Sequence, residues 1–244
     1  MLWYKAWRES QTRFLLSAFT VGGLCTMFVW YRQMARASIA PEFAAYSGYI
    51  WRVIYKGYLR ELFVLLTLLL GVGGLLRERA HQTAGFTLSL PISRRRLVVV
   101  RGVMGVFEVA IISLLPAVLV PILSWLTGES YPFSQALRFS LLWTVCGSFF
   151  FAIGFVSSAV FGGEFTAPVI SIGLMLLYSL AVNLPTLERY IPDLHDMMSG
   201  VDMPYFRADL WFLTALPWLT MSVISLIVCC LILLASEITD RQDF

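Results

Sequence analysis

Apolar residues in this chain come in long runs, not in the alternation of a strand or the narrow stripe of a surface helix. Six runs stand out, at about 14–31, 58–76, 101–126, 139–161, 166–184 and 211–235. A helix needs about 20 mostly apolar residues to cross a bilayer, and these runs approach or reach that length. Within lipid every backbone N–H and C=O must be satisfied internally, so such runs are helical. The alternating pattern of a transmembrane barrel is absent. The pattern predicts an all-α integral membrane protein, a single transmembrane domain over 1–244 folded as a six-transmembrane-helix bundle.

The polar positions between the runs add detail. In "MLWYKAWRESQTR", Trp3, Trp7 and Phe14 recur at helical spacing, with Lys5, Arg8, Thr12 and Arg13 on the other faces. This predicts a short interfacial helix over 1–13, with Trp3 and Trp7 as its anchors in the headgroup zone; the alternative is a mere orientation signal. The "ARA" at Ala35–Ala37 resembles a signal-peptide cleavage site. The run before it, however, is longer than the roughly 7–15 residues of such a core and ends on the interfacial pair Trp30–Tyr31. Before the second run, Arg52, Lys56 and Arg60 form a basic stripe beside Trp51, Tyr55, Tyr58 and Leu62. That pattern predicts a helix starting near Tyr46, with either an aromatic belt or the wall of an outer cavity. Residues 185–210 hold three Pro, four Asp and one Glu and predict a short helical outer segment between spans five and six.

The densest polar stretch is "RERAHQTAGFTLSLPISRRRLVVVR", Arg77 to Arg101, with six of the 18 Lys and Arg. Placed on the same side as both ends of the chain, it brings that face to ten basic residues against eight on the other. Basic residues favour the cytoplasmic side, so the termini are expected to be cytoplasmic, in an inner (plasma) membrane. Arg94, Arg95 and Arg96 begin the third span, where cations oppose the helix dipole. Anionic lipid or protein facing them would reverse that sign.

Composition narrows the chemistry. Only 14% of residues are charged, against about 25% in soluble domains. The net charge of +3 gives no reason to expect a nucleic-acid partner. Cys25, Cys146, Cys229 and Cys230 lie inside apolar runs without metal-ligand spacing and read as small buried hydrophobes. His195 with Met197 and Met198 is too thin a set for a metal. No phosphate-cradling GxxxxGK[ST] loop occurs, nor GxSxG, HExxH or GxGxxG, so neither ATP hydrolysis nor hydrolase chemistry is expected of this chain. Glu108 is the one acid well inside a span, about 10 Å beyond Arg101 at 1.5 Å per residue. A charge there must face protein or a cavity, so Glu108 and Arg101 are candidates for the translocation path or the bundle interior, as substrate contact or as interhelical tie. Gly154, Ser158 and Gly162 form a small-residue stripe that suits packing within one bundle or between two.

Taken together, the short lead "WYKAWRES", the six runs, the long fifth-to-sixth segment and above all the 77–101 stretch resemble a permease subunit of the ABC-2 type of ABC transporter. The stretch is similar to the family pattern of an acidic residue, a small turn, "LSLP", then "SR" and a basic run; Thr83, Ala84 and Gly85 stand where a "GT" is common. The resemblance implies that 77–100 is a cytoplasmic coupling loop docked on a separate ABC ATPase. Its apolar set is Phe86, Leu88 and Leu90, with Ile92; its charged rim is Arg77, Glu78, Arg79, Arg94, Arg95 and Arg96; Gly85 and Pro91 punctuate it. It further implies ATP and Mg bound by the partner ATPase and no cofactor on this chain. A second permease copy or a similar permease, and the lipid bilayer, are its other partners. The expected function is the permease subunit of an ABC exporter of unknown substrate. The alternatives are a non-transporting membrane assembly or regulatory protein, and, more remotely, an intramembrane enzyme.

Overall fold

The computed structural model describes residues 2–34, 46–72, 93–161, 165–182 and 216–241. All the regular structure among them is helical. The helices are α1 (Leu2–Met34), α2 (Tyr46–Ile50), α3 (Tyr58–Val72), α4 (Arg94–Leu126), α5 (Phe133–Val160), α6 (Thr166–Val182) and α7 (Trp218–Arg241), with a π-helical turn, Trp51–Tyr55, after α2. Four of them, α1, α4, α5 and α7, are long and apolar enough to cross a membrane.

Why α5 sits at the centre follows from its sequence. It is apolar around its whole circumference, with Phe139, Leu142, Trp143, Phe151, Phe155 and Ala159 all buried, and a helix of that kind must be enclosed by others. It packs against α3, α4, α6 and α7, while α1 lies on α4 and α3. Outward-facing Leu16, Phe19, Phe107, Trp125, Leu177, Leu219 and Leu226 give the bundle an apolar exterior, as lipid requires.

The crossing of α3 and α5 is made by two glycines. A Cβ on Gly71 would strike the Phe151 carbonyl, and one on Gly154 the Leu68 carbonyl. Only residues without a side chain let the two backbones come this close. Gly154 and the wholly buried Ser158 therefore serve packing within this bundle; Gly162 lies outside the described residues.

Three expectations are corrected. The lead over 1–13 is not a separate interfacial helix: α1 runs unbroken from Leu2, with no Gly or Pro near residue 13 to break it. At 1.5 Å per residue its 33 residues reach about 50 Å, well beyond the ~30 Å hydrocarbon core. Trp3 is half-exposed, while Trp7 packs on Phe14 with ring centroids 5.2 Å apart. Secondly, the helix expected to run inward from Tyr46 is interrupted at Lys56–Gly57. The Lys56 N–H reaches back five residues to the Trp51 carbonyl (2.8 Å), and Trp143 Nε1 donates to the Tyr55 carbonyl (3.3 Å), meeting part of the backbone demand the break creates. A Cβ on Gly57 would lie 2.7 Å from the Arg52 carbonyl oxygen, so the turn needs glycine. The aromatics here form core and not a belt. Tyr55 stacks on Phe139 (4.9 Å) and meets Trp143 edge-on (5.7 Å), and Trp51 is buried; Tyr58 alone of the stripe's rings is exposed. Thirdly, Cys25 and Cys146 are buried as expected, but Cys229 and Cys230 face outward from α7.

Span boundaries also move. The third helix begins at Arg94, a turn and more before the expected Arg101, and the last ends at Arg241. Pro116 and Pro121 lie inside α4 without ending it. Near the first, the Ser113 and Thr144 hydroxyls meet at 2.6 Å, tying α4 to α5.

Candidate functional site

The end of the bundle that carries the start of α4 holds the arginines of that helix, which the sequence singled out. Ser93 caps α4, its hydroxyl accepting from the Arg96 N–H at 3.4 Å. Arg94 is the first helical residue, and Arg96 is exposed. Arg95 reaches across to the last helix, bonding Asp240 (2.8 Å) and Glu237 (3.0 Å). Cations at the start of α4 and acids at the end of α7 each oppose their own helix dipole. Laid antiparallel and bridged by Arg95, they compensate one another, and protein supplies the facing polar surface for Arg95.

One and a half turns deeper, Arg101 is buried and donates to Glu9 of α1 at 2.6 Å, with Lys5 a further 3.8 Å from the same carboxylate. Two turns beyond, Glu108 has no exposed surface. One of its oxygens accepts from the Ser10 hydroxyl; the other, Oε2, meets no hydrogen-bond partner among the described residues. Glu9 and Ser10 are neighbours on α1, so two consecutive residues of the lead bind the two ionisable side chains, Arg101 and Glu108, that α4 buries in the bundle. These contacts explain why α1 continues straight through residue 13. Its polar side is held against α4, where it satisfies groups that lipid could not.

Between α1, α3, α4 and α5 lies a cleft of about 440 Å³, counting space open to the outside. Its polar wall is Glu9, Ser10, Arg13, Arg101 and Glu108; its apolar wall includes Leu70, Met104, Phe151 and Phe155.

The fold and the charge distribution are those of a membrane-embedded helical unit, and sequence comparison decides which kind. Residues 10–197 match the family described as ABC-2 family transporter protein. The chain belongs to that family. No curated protein matches it. As a member of that family it is a multi-pass membrane protein and a membrane transport component of an ABC transporter.

The permease site predicted from sequence is brought together only in part. Arg95 lies in the first turn of α4 and meets α7, whereas Arg101 and, near the middle of the helix, Glu108 meet α1. Arg77, Glu78, Arg79, Gly85, Phe86, Leu88, Leu90 and Pro91 lie outside the described residues, as do 185–210 and His195. Sequence reasoning missed Glu9, Ser10, Glu237 and Asp240. A signal existed for the three acids. Glu9 is the one acid of the lead, and Glu237 and Asp240 lie one turn apart at the end of the last run. Buried Arg101 and the dipole-opposed arginines both demanded partners.

Proposed function

We propose that this permease is the membrane half of an ABC exporter, driven by ATP and Mg that a separate cytoplasmic ATPase subunit binds. In this reading α3 and α6 are also spans, giving six. Both ends of the chain are cytoplasmic, in the inner (plasma) membrane. Two copies, or one copy with a similar permease, enclose the path. The segment 77–100 is the coupling loop that docks on the ATPase.

The observation that carries the reading is the fastening of α4 where that segment enters it. A push on the loop reaches Arg95, tied to α7, and then Arg101 and Glu108, tied to α1. A rigid helix with polar links to two neighbours transmits displacement to both, whereas a loosely held one would dissipate it. The end of α7 and the lead of α1 thus move with the loop.

The test is purification of the tagged chain from cells that also express a candidate ATPase subunit. An ATPase is expected to co-purify, and its turnover to fall severalfold with Gly85→Pro, Leu88→Asp or paired charge reversal at Arg94 and Arg96. An ATPase that never associates, or one indifferent to all three changes, sinks the proposal.

A further inference from the structure

We infer that the cleft beside Glu108 is a binding site for an organic monocation, taking its ammonium or guanidinium head on the free carboxylate oxygen. Glu108 is completely buried, lines the cleft, and uses only one of its two oxygens, on Ser10. Its Oε2 is an acceptor with nothing to accept from among the described residues. Arg101, the cation nearest along α4, is engaged by Glu9 at 2.6 Å, two turns from Glu108. No hydrogen bond joins Glu108 to Arg101, although both line the cleft. A buried carboxylate oxygen of this kind is satisfied by an N–H donor arriving from the cleft, and a charged donor gives the stronger bond.

The rest of the wall specifies the ligand further. Leu70, Met104, Phe151 and Phe155 offer hydrocarbon and ring surface to the body behind the head, and aromatic rings add attraction for a cation near their faces. Arg13 also lines the cleft, so a second positive charge on the ligand is disfavoured. The predicted ligand class is a small amphiphilic monocation. That such a cation is the transported cargo rests on the transport reading above; the site itself does not.

The test uses the full chain in nanodiscs of phosphatidylcholine, a lipid without net charge, titrated calorimetrically with butylguanidinium and with neutral pentanamide. Saturable binding of one butylguanidinium per chain is expected, with pentanamide bound at least tenfold more weakly. Glu108→Gln keeps the size of the side chain and is expected to weaken the guanidinium at least tenfold. Arg13→Gln, which removes the competing charge, is expected to tighten it severalfold. Met104 precedes Glu108 by one helical turn, so Met104→Lys places an ammonium beside the carboxylate and is expected to block the probe while Glu108 remains. This second variant decides the matter if Glu108→Gln lowers the melting temperature. Equal binding by wild type, Glu108→Gln and Met104→Lys, or a signal from wild type that never saturates, overturns the site. Because no ATPase takes part, failure of the docking experiment would remove the transport reading and leave this result standing.

Discussion

Arg95 and Arg101 are six residues apart on α4, and each meets carboxylate, yet their surroundings give these contacts different weights. Arg95 is about half exposed where it meets Glu237 and Asp240. Screened pairs of this kind contribute roughly 0.2–1 kcal/mol. Arg101 is buried, and Glu9, which it meets at 2.6 Å, is itself largely covered. Breaking a buried pair costs about 3 kcal/mol or more. Arg101→Gln is therefore expected to lower the melting temperature clearly and Arg95→Gln hardly at all, with the small Arg95 effect fading in high salt; thermal unfolding in nanodiscs at two ionic strengths measures both. The glycines of the α3–α5 crossing form a second pair of sensitive residues. Gly154→Ala pushes a methyl into the Leu68 carbonyl. Backbone gives way less readily than a side chain, so a loss of about 1–3 kcal/mol is expected. Gly23, with open space around its Cβ position, serves as the control: Gly23→Ala is expected to be neutral or slightly stabilising.

Among the elements, α1 departs most from what its pattern suggested. An amphipathic lead followed by an apolar run reads as two helices with a joint, because lipid headgroups would receive the first and hydrocarbon the second. The polar face of the lead has a different use here: Glu9 and Ser10 bind α4, and that demands one stiff rod. Thr12→Pro distinguishes the two arrangements. Proline inside a continuous helix costs about 3 kcal/mol, whereas at a joint between two helices it is tolerated. The continuous α1 predicts poor assembly of Thr12→Pro, read as loss of monodisperse protein on size-exclusion chromatography, while Thr12→Ala behaves as wild type. The break before α3 is the opposite case. A stripe that read as one helix is divided at Gly57, and the carbonyl left open at Tyr55 is met by Trp143 of α5. Neither the stiffness of α1 nor the break at Gly57 is visible in periodicity, since both are decided by a partner helix far away in sequence.

At the scale of the whole molecule, contacts between distant parts of the chain set the topology. Glu9 bonds Arg101 and Arg95 bonds Asp240, so the start of α1, the start of α4 and the end of α7 share one end of the bundle. The opposite end gathers Arg32, Tyr46, Tyr49 and Glu129. Arg32 lies over the Tyr46 ring at 4.6 Å and 3.6 Å from Glu129, and Tyr49 donates to the Phe28 carbonyl at 2.9 Å. Single cysteines introduced at Ser93 and at Gly128 into a cysteine-free chain are therefore expected to label from opposite sides of the membrane. With cytoplasmic termini, a membrane-impermeant maleimide added to intact cells reaches position 128 and not position 93. The reverse pattern would invert the orientation, and labelling of both from one side would contradict the bundle itself.

The sequence by itself determined the solvent and the element type. Long apolar runs leave the backbone nowhere to find partners but within a helix, and so few charges cannot cover a water-soluble surface. It also marked Arg101, Glu108 and the arginines of α4 as groups needing explanation, because charge inside or beside lipid is expensive wherever it occurs. Tertiary structure alone decided the explanations: that the lead of α1 is the partner of Arg101 and Glu108, that α7 supplies the acids for Arg95, and that Gly71 and Gly154 face each other's backbones. Periodicity reports which side of a helix is apolar, a local property. Which helix meets that side, and which charge ends opposite which, depends on how the helices cross, and that is settled only when all of them pack at once.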